Sequence, residues 1–168
     1  LAHPDRDKYD LSSLKRLTYG ASPSAGDMVE QVLARFPDLE LSHSYGLPEA
    51  CPVVSSNLPC NHPPEARISG LSRSVGRGGL GVNVKIVDPH GREVPRGTVG
   101  EIIVRGPNVM QGYWNKPEET ARALRDGWLQ TGDGAYMDGQ GYLFIVDRLK
   151  DMIVSGGENV YSAEVENV

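Results

Sequence analysis

Cysteines and long apolar segments are scarce in this sequence. Its 168 residues include only Cys51 and Cys60 as cysteines. Two cysteines are too few for a disulfide scaffold and are typical of a reducing compartment, although one bridge between them stays open. No run of about 18 apolar residues occurs, so we expect no transmembrane segment. Residues 1–8 are polar and lack the apolar core of a signal peptide. The sequence therefore predicts a cytoplasmic protein.

Clustered positive charge is also lacking. The 17 Lys and Arg residues are scattered along the chain and outnumbered by 22 Asp and Glu residues, for a net charge of -5. We therefore expect no nucleic-acid partner, because binding to a phosphate backbone needs concentrated positive charge. A hydrophobic content of 39% and the absence of a Gly-X-Y period exclude collagen, coiled coil and wholesale disorder.

Turn-forming residues, in contrast, are abundant, with 20 Gly and 12 Pro. In the first third of the chain the pattern predicts a strand over 14–19, an amphipathic helix from Ser24 to Phe36 that ends at Pro37, and a strand over 39–45. Strand, helix and strand in this order are typical of an α/β sheet.

The remaining chain is predicted to be rich in strands. Residues 51–81 lack a sustained period, which indicates a long loop with short strands. Strands are predicted over 82–88, 99–105, 128–130, 142–146 and 151–154, with one helix over 117–124 and another beginning at 162–168. The β-rich section indicates a small barrel. Because the chain lacks an initiator Met and stops within the last predicted helix, we expect it to be an internal piece of a longer protein.

Two familiar motifs are incomplete. Residues 76–81 match the G-x-G-x-x-G pattern of dinucleotide sites, but such a site needs a helix after the glycines, and a strand is predicted there. Cys51, Cys60 and His62 fall short of the four ligands of a structural zinc site. The 4 histidines are scattered and show no pattern of a hydrolytic triad.

Four other segments share one composition, a strand end followed by glycine, a polar residue and a charged residue. They span residues 19–23, 44–50, 127–133 and 147–157. Loops of this type present backbone amides, an aromatic face and a few charges to a nucleotide. Gly20 and Gly46 would allow close approach of the backbone to a ligand, and Tyr45 offers a stacking face. Glu49 offers an oxygen for magnesium, Asp133 an acceptor for two ribose hydroxyls, and Arg148 a permanent cation nearby. Each residue taken singly is more often a turn or core residue. Their joint order carries the prediction.

This order resembles the adenylate-forming superfamily, which includes acyl-CoA synthetases, firefly-type luciferases and the adenylation domains of peptide synthetases. Residues 100–114 look like its sixth core motif, and residues 159–166 look like its N-V-Y-P-x-E-V-E continuation. The resemblance covers nearly the whole chain. Residues 147–153 are most similar to the fatty-acid and aryl acyl-CoA synthetase branch.

The resemblance implies a mixed α/β fold. Residues 1–147 would form the C-terminal portion of the AMP-binding large domain, a strand-helix-strand unit plus a small β-barrel subdomain. Residues 148–168 would form the hinge and the beginning of a C-terminal lid domain. The implied enzyme is an ATP-dependent acyl-CoA synthetase that uses Mg²⁺, activates a carboxylic acid as acyl-AMP and transfers it to CoA.

The resemblance also implies a role for each candidate residue. The adenine and acyl pocket would be lined by Gly20, Ala21, Ser22 and Pro23, and Tyr45 would pack on adenine beside Gly46 and Pro48. Glu49 would be the catalytic Mg²⁺ ligand. Asp133 would bind the ribose diol, Arg148 would support the ribose and phosphates, and Lys150 would be the hinge.

Two positions depart from the family pattern. Pro48 stands where the family usually has Thr, so the hydroxyl that would contact the AMP phosphate is missing and a backbone donor is lost. Ser162 stands where Pro is usual. The family's phosphate loop and C-terminal lysine are also missing from these residues, so we expect the segment alone to be inactive. Two alternatives stay open: an amino-acid adenylation domain of the same superfamily, and a non-catalytic adenylate-binding protein.

Overall fold

The computed structural model describes residues 3, 5, 8–20, 26–63, 69–149, 153–155 and 158–160. In these residues two α-helices and eleven strands alternate with short 3-10 helices. The helices are α1 (Gly26–Arg35) and α2 (Pro117–Ala123). The strands are β1 (Arg16–Gly20), β2 (Glu40–Gly46), β3 (Val53–Asn57), β4 (Arg77–Gly78), β5 (Asn83–Val87), β6 (Gly100–Arg105), β7 (Leu124–Arg125), β8 (Trp128–Met137), β9 (Leu143–Arg148), β10 (Ile153–Ser155) and β11 (Glu158–Val160).

The first sheet has the order β1-β2-β3-β4 and contains the predicted strand-helix-strand unit. β1 and β2 are parallel because α1 carries the chain back between them, whereas β2 and β3 are antiparallel. The helix buries Val29 and Val32 against Leu39 and Leu41. It ends at Arg35, shortly before Pro37, whose ring would clash with another helical turn. The mixed α/β prediction is confirmed for this part of the chain.

An aromatic cluster lies near the end of β1. The rings of Tyr19 and His43 stack with their centroids 4.5 Å apart, and the Tyr19 hydroxyl lies 3.2 Å from Nε2 of His62. Nδ1 of His62 is 3.1 Å from the Leu58 carbonyl, which can only accept. That nitrogen therefore carries the proton, and the Tyr19 hydroxyl donates to the other nitrogen. Burial lowers the pKa of both histidines, which favours their uncharged form.

The second sheet is antiparallel, with the order β5-β6-β8-β7 and β9 paired to β8. It forms the half-barrel of the fold, which confirms the β-rich section expected from the sequence. Its core includes Ile102, Leu129 and Leu143. Val54 of the first sheet and Ala50, on the turn after β2, join the same cluster. The two sheets are therefore held together by one shared core.

β8 is longer than the sequence predicts. The predicted strand ends at 130, but β8 continues to Met137. The error arises because the Thr131-Gly132-Asp133 sequence resembles a turn, whereas β6 continues to supply a pairing partner across an irregularity in register. Tertiary pairing thus overrides the local turn signal.

The segment 51–81 is a long connection with short elements, as predicted. It contains β3, β4 and the 3-10 helices Pro59–Asn61 and Leu71–Arg73. Buried polar side chains hold it in place. Asn57 donates to the Leu71 and Ser74 carbonyls at 2.9 and 3.0 Å, and the Ser74 hydroxyl donates to the Leu143 carbonyl at 2.8 Å. The last of these bonds ties the connection to the second sheet.

The glycine-rich residues 76–81 are followed by β5, so the helix that a dinucleotide site needs is replaced by a strand. The residues considered for zinc also have other surroundings: Cys51 and Cys60 are free and exposed, while His62 contacts Tyr19. Among the described residues no three His, Cys, Asp or Glu side chains form a metal-binding group.

The last described strands, β10 and β11, pair antiparallel. The predicted strand over 151–154 overlaps β10, while residues 151–152 and the predicted helix at 162–168 lie outside the described residues. The helix predicted over 117–124 is confirmed as α2, with Pro117 in its first turn. In the described part of the chain, no helix has both the length and the apolar character needed to cross a membrane.

Gly76 has a conformation and a neighbour that only glycine tolerates. Its φ is 85°, and an added Cβ would lie 1.8 Å from the Ser56 carbonyl oxygen. We expect Gly76→Ala to lower the free energy of unfolding by about 2–5 kcal/mol, because a backbone clash adds to the left-handed strain. Urea unfolding monitored by circular dichroism measures this loss.

Gly91 supplies the matched control, since its φ is 78° but an added Cβ would meet no atom within 4 Å. Gly91→Ala is expected to cost only about 1 kcal/mol, the strain alone. Equal losses in the two variants would contradict the role assigned to the close approach at Gly76.

Candidate nucleotide site

The end of β2 and the middle of β8 meet through one hydrogen bond. The Tyr45 hydroxyl donates to Oδ2 of Asp133 at 2.7 Å, although the residues are 88 positions apart. Tyr45 packs against the shared core with part of its ring. The Asp133 side chain is only 13% exposed. The contact therefore brings an aromatic ring and a carboxylate from different sheets to one place.

Asp133 reaches this place because the backbone before it is distorted. Gly132 has a φ of 74°, and its N–H donates to Oε1 of Glu101 at 3.0 Å. The Thr131 hydroxyl donates to the Ile102 carbonyl at 2.8 Å and accepts from the Asp133 N–H at 3.1 Å. The Thr-Gly-Asp sequence therefore forms an anchored irregularity within a strand, which holds Asp133 in position.

Arg148 completes this group from β9. It lies opposite Asp133 in the strand register, with its Nε 3.5 Å from Oδ1 of Asp133 and its side chain 74% exposed. Solvent screening at that exposure makes the ion pair weak, so the guanidinium is available to other anions. Burial, together with the charge of Asp133, raises the pKa of Tyr45, so its phenol stays protonated and donates.

Glu49 lies on a single turn that follows β2. The 3-10 helix Pro48–Ala50 begins after Leu47, whose extended conformation suits a residue before proline. Pro48 occupies the first helical position, where a backbone N–H has no partner within the helix. Ala50 is fully buried and anchors the turn to the core, which leaves Glu49 partly exposed beside it.

The Glu49 carboxylate has a partner that sequence reasoning missed. The Tyr113 hydroxyl donates to Oε1 of Glu49 at 2.7 Å, and this hydrogen bond raises the pKa of the Tyr113 phenol. Tyr113 belongs to the 100–114 segment, in which the resemblance marks a motif without assigning it a role. Among the described residues, Oε2 of Glu49 makes no hydrogen bond. A carboxylate oxygen of this kind fits Mg²⁺, which takes oxygen ligands.

The two predicted glycines have a structural reason to be glycine. A Cβ on Gly20 would lie 2.2 Å from the Ser44 carbonyl oxygen, and one on Gly46 would lie 1.7 Å from the Pro52 carbonyl oxygen. Both permit close approach of protein backbone in the first sheet. The remaining predicted positions Ala21, Ser22, Pro23 and Lys150 lie outside the described residues.

The structure thus brings together Tyr45, Asp133 and Arg148, and it places Glu49 on the turn that follows the strand of Tyr45. Gly20 lies at the end of β1 in register with Ser44, the residue before Tyr45. An exposed guanidinium, a carboxylate with unused acceptor capacity and an aromatic ring form a suitable surface for a ribonucleotide.

Comparison with known proteins identifies the family of this chain. The sequence model of the family described as "AMP-binding enzyme" matches residues 1–114. This match covers more than half of the chain and includes Tyr45 and Glu49. The chain belongs to the AMP-binding enzyme family. It is thus a member of the adenylate-forming superfamily, which contains the acyl-CoA synthetases.

Individual relatives are similar over nearly the whole chain. A feruloyl-CoA synthase from an Amycolatopsis species is 47% identical over 166 residues, which are 99% of this chain and 32% of that protein. The chain therefore spans about a third of the length of this relative.

Solved structures are similar to this chain over most of its length. The amide bond synthetase McbA from Marinactinospora thermotolerans has a TM-score of 0.84 and 41% identity, over 98% of this chain and 32% of its own. The O-succinylbenzoate coenzyme A synthetase MenE from Bacillus subtilis, solved in complex with ATP and magnesium, has a TM-score of 0.79 and 33% identity, over 91% and 30% of the two chains. These likenesses establish the fold.

The Tyr45–Asp133 hydrogen bond should contribute measurably to stability. Because Asp133 is mostly buried, Tyr45→Phe leaves one carboxylate oxygen without its donor. We expect the free energy of unfolding to fall by roughly 1.5–3 kcal/mol, as for hydrogen bonds to charged groups. Denaturant titration of the variant and the parent protein measures the difference.

Tyr136→Phe is the matched control, because the Tyr136 ring stacks on Phe144 with centroids 4.9 Å apart while its hydroxyl makes no hydrogen bond in the described part of the chain. This variant should change stability by less than about 0.5 kcal/mol. A loss in Tyr45→Phe no larger than in Tyr136→Phe would contradict the assigned contact.

Proposed function

We propose that this chain supplies the nucleotide-binding part of an AMP-forming acid–CoA ligase. The observation that carries the proposal is the hydrogen bond that joins Tyr45 to Asp133 across the two sheets, with Arg148 on the open side. It places an aromatic surface next to a carboxylate that can accept from two vicinal hydroxyls. Family membership supports a nucleotide as the ligand.

In this proposal each polar group has one task. Asp133 accepts hydrogen bonds from the ribose diol, and its bond from Tyr45 keeps it oriented. The Tyr45 ring packs on adenine. Arg148, with its exposed guanidinium, supports the ribose and phosphate side. Gly20, Ala21, Ser22 and Pro23, together with Gly46, line the adenine and acyl pocket, and Pro48 begins the turn beside the phosphates.

Glu49 is proposed as the ligand of Mg²⁺, through the carboxylate oxygen that Tyr113 leaves unbound. One protein carboxylate is a usual contribution, because Mg²⁺ keeps several waters and is completed by substrate phosphates. When bound, the metal would neutralise the charge that develops as a substrate carboxylate displaces pyrophosphate from ATP. Burial of Ala50 keeps the turn of Glu49 fixed, so that the carboxylate needs little reorganisation.

The acceptor of the acyl group is proposed to be the thiol of CoA. The feruloyl-CoA synthase and MenE are named for CoA, whereas McbA is an amide bond synthetase. Activation of an acid is the step that such different acceptors have in common. Acceptor choice is therefore tested separately, by offering CoA, an amine and a carrier protein to the same adenylating protein.

We further propose that residues 1–147 are the C-terminal portion of the AMP-binding large domain and that residues 148–168 begin the lid, with Lys150 as the hinge. The chain covers 32% of the length of the feruloyl-CoA synthase. The phosphate loop and the lysine that adenylation needs would be supplied by other parts of a complete protein. Rotation of the lid about the hinge would admit the thiol after adenylation.

ATP–pyrophosphate exchange tests the proposed activity. A complete protein containing this chain should exchange pyrophosphate in the presence of a fatty or aryl carboxylic acid. Glu49→Gln should lower the exchange rate about 10²–10³-fold, because the variant loses charge at the metal. Glu118→Gln is the control, since its side chain is 83% exposed in α2, and it should leave the rate unchanged.

Several outcomes of exchange and binding measurements would contradict the proposal. Exchange with amino acids but not with fatty or aryl acids would identify the amino-acid adenylation alternative. Nucleotide binding by calorimetry without exchange would identify a non-catalytic adenylate-binding protein. Robust exchange by the 168-residue chain alone would overturn the expectation that this segment is inactive.

Pro48→Thr tests the departure at position 48. The hydrogen bonds of the turn use the Pro48 carbonyl and not its nitrogen, so threonine can enter without rearrangement. A hydroxyl that contacts the phosphate should raise the exchange rate about tenfold, as a hydrogen bond to a charged group does. Pro48→Val, which has the shape of threonine without the hydroxyl, is the control. An equal gain in both variants would contradict a phosphate contact.

A further inference from the structure

The 3-10 turn that carries Glu49 is hydrogen-bonded to the 106–116 loop, which follows β6. Three hydrogen bonds connect the two. Asn108 donates through Nδ2 to the Ala50 carbonyl at 2.9 Å, the Met110 N–H donates to the Glu49 carbonyl at 2.8 Å, and the Tyr113 hydroxyl donates to the Glu49 carboxylate at 2.7 Å. The first two bonds fix the backbone of the turn. The third fixes the carboxylate itself.

The loop that presents Tyr113 is itself anchored. The Tyr113 N–H donates to the Thr120 hydroxyl at 2.9 Å, and that hydroxyl donates to the Lys116 carbonyl at 2.8 Å. Gly112 allows this packing, because a Cβ there would lie 2.7 Å from Cγ2 of Thr120. Thr120 belongs to α2, so the position of the phenol is determined by the second sheet and its helix rather than by the turn it contacts.

We propose that Tyr113 is a positioning residue for metal binding: its hydroxyl occupies one oxygen of Glu49 and thereby holds the carboxylate with the other oxygen available to Mg²⁺. The inference rests on the proposed function, in which Glu49 is the ligand. Tyr113 touches neither the metal nor the nucleotide in this scheme and acts only through Glu49.

The physical reason is the freedom of a glutamate side chain. A partly exposed glutamate occupies several rotamers, and a metal that needs one of them must bind against the loss of the others. A phenol fixed by the protein restricts the side chain before the metal arrives. Removal of a hydrogen-bond partner from a metal ligand typically weakens metal binding 10–100-fold.

Tyr113→Phe in the complete protein tests the inference. ATP–pyrophosphate exchange is measured over a series of Mg²⁺ concentrations at saturating ATP and acid. We expect the half-saturating Mg²⁺ concentration to rise about tenfold, while saturating Mg²⁺ restores most of the rate and the KM for the acid changes less than about twofold. In a protein that already carries Glu49→Gln, Tyr113→Phe should not change the half-saturating Mg²⁺ concentration further, because Tyr113 acts only through Glu49.

A second variant separates positioning from folding. Thr120→Val removes the hydroxyl that anchors the loop while Tyr113 is kept. It should shift the Mg²⁺ dependence in the same direction by a smaller factor. A fall in rate that is equal at all Mg²⁺ concentrations, or an unchanged Mg²⁺ dependence in Tyr113→Phe, would overturn the inference.

A binding measurement keeps the inference distinct from the proposed activity. The affinity of the protein for Mn²⁺ in the presence of ATP is measured by electron paramagnetic resonance, without turnover. A loss of about tenfold in Tyr113→Phe supports the positioning role even if no acid supports exchange. Exchange in the parent protein with equal Mn²⁺ affinity in both proteins would overturn the inference and leave the proposed function in place. Absence of Mn²⁺ binding in the parent protein would overturn both.

Discussion

The hydrogen bond between Tyr45 and Asp133 connects the two halves of the described fold at the candidate site. Tyr45 lies near the end of a strand of the α/β unit, and Asp133 lies inside a strand of the antiparallel half-barrel. The shared core sets the distance between the sheets, and the phenol spans the remaining gap. Because burial keeps the phenol protonated, the bond persists as a donor–acceptor pair at neutral pH. Every nucleotide contact proposed for β2, β8 and β9 depends on this junction.

The polar groups of the site are kept in place by contacts that lie behind them. Thr131 and Glu101 fix the backbone before Asp133, and the 106–116 loop fixes the turn of Glu49. Thr131 and Glu101 bond to backbone groups of neighbouring strand residues, and Tyr113 bonds to the Glu49 carboxylate. Such preorganisation lowers the cost of ordering the site when a charged ligand binds. The turn after β2 is thus held by residues that follow a strand of the half-barrel.

Much of the local structure could be predicted from the sequence, because each signal acts over a short range. The apolar spacing of α1, its end before Pro37 and the place of Pro117 at the start of α2 follow from helix geometry and proline chemistry. The length of β8 could not be predicted in this way. Its Thr-Gly-Asp sequence favours a turn locally, and only pairing with β6 and β9 keeps it in the sheet.

The candidate site could likewise be predicted only in part from the sequence. The sequence by itself determined the residue types, their order along the chain and the resemblance to adenylate-forming enzymes, since a motif depends only on neighbouring positions. The tertiary structure decided which of these residues meet: Asp133 with Tyr45, and Tyr113 with Glu49. These contacts join positions 88 and 64 residues apart. Their formation depends on strand register and shared core packing, which act between segments and leave no local pattern for the sequence to display.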